Sequence, residues 1–116
     1  MGDEGVLIQL DGPRRLRVTF DACARFEKEL GVSLAEAVKE RRGETLESWI
    51  ARALYPALID EDPGLTLEAV QRIVDRHLAP LSFFKKTRRV LELRKAVIAA
   101  GKAFGDSLGP EKLTEE

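Results

Sequence analysis

Val6-Leu7-Ile8-Gln9-Leu10-Asp11-Gly12-Pro13-Arg14-Arg15-Leu16-Arg17-Val18-Thr19-Phe20 is the stretch that decides the fold. Val6, Ile8 and Leu10 alternate with Leu7 and Gln9, and Leu16, Val18 and Phe20 alternate with Arg15, Arg17 and Thr19. Period two on both arms is the mark of strands. Asp11-Gly12-Pro13 between them is turn chemistry, because Asp tolerates tight turns and Gly reaches positive φ. The pattern predicts an antiparallel hairpin pairing residues 6–10 with 16–20. Its second arm is apolar on one face and charged on the other, so one side meets water. A two-stranded ribbon is marginal alone, so it must pack on helices.

After Phe20 the period becomes helical. Cys23, Phe26 and Leu30 share one face of a short helix capped by Thr19 or Asp21. Gly31 ends it, with Val32 placed to close back on Phe26. Ser33-Leu34-Ala35-Glu36 matches a capping box and opens a second helix, expected to reach about Arg42 with Gly43 as its stop. Thr45 caps a third, whose stripe is Leu46, Trp49, Ile50, Ala53 and Leu54; Pro56 should kink or end it. Asp60-Glu61-Asp62-Pro63-Gly64 reads as a turn. Thr66 caps a fourth helix, with Leu65 and Val70 as a hydrophobic staple and Val70, Ile73, Val74 and Leu78 as its buried face. Pro80 breaks it. A fifth runs over about 82–103, with Phe83, Phe84, Val90, Leu91, Val97 and Ile98 on its apolar side. Residues 105–116 read as a fraying acidic tail. The expectation is one α+β domain over 1–116, mostly α: a hairpin over 6–20 and a body of about five helices over 21–104.

The chain has 116 residues, 44% hydrophobic and 34% charged, which suits one core and argues against disorder. Its net charge is −1, but the charge is uneven. Between residues 81 and 104 stand Lys85, Lys86, Arg88, Arg89, Arg94, Lys95 and Lys102 against Glu92 alone. The flanking stretches are acidic. This basic helix is read either as a solvated face pairing with the acidic body or as a docking face for an acidic partner. A DNA-binding domain ordinarily carries a basic balance throughout, and this chain does not. No stretch approaches the roughly 18 apolar residues that span a bilayer, and the first residues are not signal-like. The expectation is a soluble, intracellular protein.

Catalytic and metal chemistry finds little to use. Cys23 is the single cysteine, which excludes an internal disulfide and a cysteine-based zinc site. It reads as a small core residue without a paired base. His77 is the single histidine and has no HExxH or comparable spacing around it. No nucleophile elbow, Walker loop, Rossmann fingerprint or EF-hand order is present. The reading is of a protein that is not an enzyme and uses no cofactor or metal.

One pattern goes further. The hairpin leads into Val18-Thr19-Phe20-Asp21-Ala22, then Phe26-Glu27-Lys28-Glu29-Leu30-Gly31, then Ser33-Leu34, with a Thr-Leu-Glu-Ala-Val helix start at residues 66–70. Over residues 6–104 the chain resembles the small tail assembly chaperones of long-tailed phages. The branch it resembles is shared with gene transfer agents and prophages and is often labelled a tail tube protein. The resemblance implies a non-catalytic role in the cytoplasm of a bacterial host. Such proteins are encoded between the tail tube and tape measure genes. They coat the tape measure protein and yield it to tail tube subunits as the tube polymerises.

The expected partners are thus the tape measure and tail tube proteins, with self-association in isolation, no membrane and no nucleic acid. The physics is helix-in-groove recognition. Candidate contacts are Trp49, as an aromatic anchor, and Tyr55, Phe83 and Phe84, with Lys85, Lys86, Arg88 and Arg89 beside them. For Trp49 and Tyr55 the competing role is core packing. Phe83 and Phe84 point about 100° apart on a helix, so one core stripe does not hold both. The residues alone also leave open a small DNA-binding regulator that reads with its basic final helix.

Overall fold

The computed structural model describes residues 5–39 and 44–108. Strands β1 (Val6–Gln9) and β2 (Pro13–Leu16) form an antiparallel hairpin, and five helices follow. These are α1 (Phe20–Leu30), α2 (Leu34–Lys39), α3 (Leu46–Leu58), α4 (Leu67–Leu78) and α5 (Phe83–Leu108). The architecture is α+β and mostly α.

The second arm of the hairpin lies three residues earlier than the alternation implied. Val6 pairs with Leu16, Leu7 with Arg15, Ile8 with Arg14 and Gln9 with Pro13. The turn is therefore Leu10-Asp11-Gly12, held by Arg14, whose Nε and Nη2 donate to the two carboxylate oxygens of Asp11 at 2.9 and 2.8 Å. With Leu16 opposite Val6, β1 has nothing left to offer residues 17–20. The Arg17 N–H donates instead to the Ala57 carbonyl of α3 at 2.8 Å. Val18 stays buried, Thr19 becomes a cap, and Phe20 opens α1 with its ring 60% exposed. Gly5, at φ 74°, passes so close to β2 that a Cβ there would collide with the Leu16 carbonyl. Only glycine takes both that angle and that approach without strain.

The helix signals are realised by side chains. Thr19, Thr45 and Thr66 accept the N–H groups of Ala22, Ser48 and Ala69, each at 3.1 Å. Ser33 and Glu36 exchange the reciprocal bonds of a capping box, 3.1 and 3.2 Å. Gly31 ends α1 in the left-handed region, φ 75°, and donates to Glu27. Leu65 and Val70 are both buried, as a staple requires. The expected stop of α2 at Arg42 and Gly43 lies outside the described residues. So does the tail from residue 109 on. α5 itself passes Ala103 and continues to Leu108, beyond the expected boundary.

α3 is the centre of the body and packs on α1, α2, α4, α5 and β2. Every residue from Ala53 to Leu58 is buried, not just one stripe. Ala51, Ala53 and Ala57 let neighbouring elements come close, so the C-terminal half of the helix is enclosed on every side. Pro56 falls in its last turn; having no N–H it cannot bond back to the Arg52 carbonyl, and the helix ends two residues later at Leu58. Phe26, Ile50, Leu54, Val70, Val74, Leu78, Val90 and Leu93 complete one core under α3, while Ile73 is only partly buried. No side-chain nitrogen or oxygen buried among the described residues lacks a hydrogen-bond partner.

Candidate functional site

Ser82 stands just before α5, and its carbonyl and hydroxyl accept the Lys86 and Lys85 N–H groups. Its buried face is Val90, Leu93, Val97 and Ala100, steps of three and four that follow the helical period. Phe83 stands on the same line, seven residues before Val90, but in the first turn it projects past the body and is 71% exposed. Phe84, Leu91 and Ile98 form a second line about 100° round the helix, and all three are exposed. The expected single apolar side thus divides into an inner row and an outer one. The rings of Phe83 and Phe84 meet edge to face, 5.9 Å between centres.

The cations of α5 divide in the same way. Lys86 Nζ reaches Glu47 of α3 at 2.7 Å, and that bond holds the Glu47 carboxyl below its ordinary range. Arg89 donates from Nε to His77 Nε2 at 2.9 Å, from Nη2 to the Gln9 carbonyl at 2.6 Å and from Nη1 to Glu92 at 3.1 Å. It ties β1, α4 and α5 together. Burial, and then the Arg89 charge, hold His77 below its ordinary value, against a hydrogen bond with the Leu10 backbone. Arg94 donates to the Val38 carbonyl of α2 at 2.8 Å and stands 5.9 Å from the Trp49 ring centre. Lys85, Arg88, Lys95 and Lys102 are exposed and make no ion pair among the described residues.

Trp49 and Tyr55 are not at this surface. The Trp49 indole is buried between α2 and α3, and its Nε1 donates to the Ala37 carbonyl at 2.8 Å. Tyr55 is 2% exposed; its hydroxyl donates to Glu29 at 2.7 Å and accepts from Arg25 at 3.2 Å. Burial and the Glu29 contact push its hydroxyl above the ordinary phenol value. Both aromatic rings hold the body together and cannot meet a partner directly. Lys86 and Arg89 are likewise committed to the body. Of the expected contacts, Phe83, Phe84, Lys85 and Arg88 remain on the surface. Leu91 and Ile98, expected only as part of the apolar side of the helix, belong with them at the surface. Their seven-residue spacing from Phe84 was the signal that could have separated them.

Beyond Ile98 the outer row runs into an open apolar hollow of about 300 Å³ lined by Val18, Cys23, Leu34, Val38 and Phe104 among others. The Phe20 ring stands edge-on to Phe104 at 5.0 Å. Burial, then Glu27, pushes the half-buried Cys23 thiol up, the opposite of activation. Among the described residues, no three His, Cys, Asp or Glu side chains are grouped to hold a metal, and no helix is long and apolar enough to cross a membrane. Comparison with family models, curated proteins and solved structures returns no match for this chain.

Proposed function

We propose that the protein is a tail assembly chaperone of a long-tailed phage or prophage. It binds helical, apolar segments of the tape measure protein, keeps them soluble, and releases them to tail tube subunits in the host cytoplasm. The observation that carries the reading is the outer row of α5: Phe84, Leu91 and Ile98 are exposed on a helix whose other side already seals a core. An exposed apolar row rimmed by charged residues is the kind of surface that marks a protein–protein contact. Contacts of this size give a few moderate anchors, each worth about 1–3 kcal/mol. That suits a partner that must later be displaced. The sequence resemblance supplies the identity of the partner.

The DNA-binding alternative finds less support. Lys86, Arg89 and Arg94 are spent on the body, so much of the basic helix is unavailable for phosphates.

Co-expression with the neighbouring tape measure gene, followed by pull-down, tests the proposal. The tape measure protein should co-purify and stay soluble only when this chain is present. Two soluble, folded proteins that never associate would refute it.

A further inference from the structure

The outer face of α5 has a repeat that the helix alone does not require. Phe84, Leu91 and Ile98 recur every seven residues, and Arg88, Lys95 and Lys102 each follow one of them by four. All six are exposed. Seven residues advance a helix by almost two turns, so each set keeps to one line, with the cations beside the apolar row. The row spans about 21 Å at 1.5 Å per residue. Its other border faces the body, where Arg94 is turned onto Val38 and Trp49. The three flanking cations have no ion pair among the described residues, whereas Lys86 and Arg89 do.

We infer that the outer face of α5 receives an amphipathic helix with an apolar seven-residue seam edged by Asp or Glu. Apolar residues recurring every seven positions stay in register with a facing helix that carries one apolar row of the same period. The charge line decides which helix is accepted. Cations flanking the seam attract a partner with acids at the facing edge and repel one with lysines there. An antiparallel second copy would bring Arg88, Lys95 and Lys102 against their like, and a parallel one would bring them to the border that holds Arg94, so the occupant is a different helix. A phosphate backbone would need the cations but not the apolar row. The inference rests on the reading of α5 as the binding face, and adds the chemistry of the helix it accepts.

The test uses the full chain and two labelled synthetic peptides of about 21 residues, three heptads with leucine at the seam. One carries Glu at the flanking positions and the other Lys. Fluorescence anisotropy should show the Glu peptide bound at least about tenfold more tightly, a difference of about 1.4 kcal/mol. Leu91→Gln with Ile98→Gln should abolish that binding. The triple variant Arg88→Glu, Lys95→Glu, Lys102→Glu should reverse the preference, and its melt should not change because none of the three is paired. Equal binding of both peptides, or of neither, overturns the inference. So does duplex DNA binding more tightly than the Glu peptide, or a dimer that Leu91→Gln dissociates. Tape measure pull-down with no peptide preference would leave the chaperone reading standing and this inference refuted. Glu-peptide binding without tape measure pull-down would do the reverse.

Discussion

The indole N–H of Trp49 donates to the carbonyl of Ala37 across the α2–α3 joint at 2.8 Å. The largest aromatic side chain of the protein is thereby a structural one, satisfied and enclosed. Trp49→Phe keeps most of the apolar volume but leaves the Ala37 carbonyl without its donor. An unsatisfied buried acceptor costs about 1–3 kcal/mol, and chemical denaturation should read a loss in that range. Partner binding, measured below the unfolding transition, should be unchanged.

Phe26 of α1 and Leu54 of α3 belong to the same core, neither of them exposed. Phe26 also packs a tilted ring against Tyr55, 6.5 Å between centres. Phe26→Ala should cost about 3–5 kcal/mol and Leu54→Ala about 2–5 kcal/mol. A thermal midpoint that does not move in either variant would contradict the packing described here.

His77 gives stability a pH dependence with a definite sign. Its Nε2 accepts from Arg89, which requires the neutral ring. Burial and the Arg89 charge lower its folded-state pKa. The unfolded chain then binds the proton more readily, so stability is full above about pH 6.5 and falls as the pH drops through that value. Denaturation midpoints should decline between pH 7 and pH 5. His77→Gln, which keeps an acceptor but does not titrate, should flatten that decline. An equal slope in the variant would assign the effect to other groups.

Phe84 contributes little to folding, since 81% of it is exposed. Phe84→Ser should leave the circular dichroism melt unchanged. It should weaken binding of a tape measure helix by about 1–3 kcal/mol, the effect of losing a moderate anchor. Phe83→Ser is the useful companion, because Phe83 follows the inner row and should matter less.

Capping was the most legible layer of the sequence. Thr19, Thr45, Thr66 and the Ser33–Glu36 pair act through their own local geometry, so a few residues sufficed to place four helix starts. The hairpin's existence was also legible, but not its register. Alternation continues through Val18 because that side chain faces the core, yet its backbone belongs to no strand, and Arg17 bonds across to α3. Such a long-range bond leaves no mark on local periodicity. On α5, two apolar rows about 100° apart merged into one wide stripe. Separating them needs the position of the body, which lies on one row only. Trp49 and Tyr55 show the same limit, since an aromatic residue looks alike as anchor and as core until its neighbours are placed.

The most direct test is a calorimetric titration of the purified chain with a helical fragment of the cognate tape measure protein. The account predicts saturable binding of micromolar order, about −8 kcal/mol. The same titration with the Leu91→Gln, Ile98→Gln variant, folded by circular dichroism, should give no heat. Absence of binding by the unaltered chain to every helical fragment of a folded, soluble tape measure protein would contradict the chaperone account. Equal binding by the variant would remove the outer face of α5 from it.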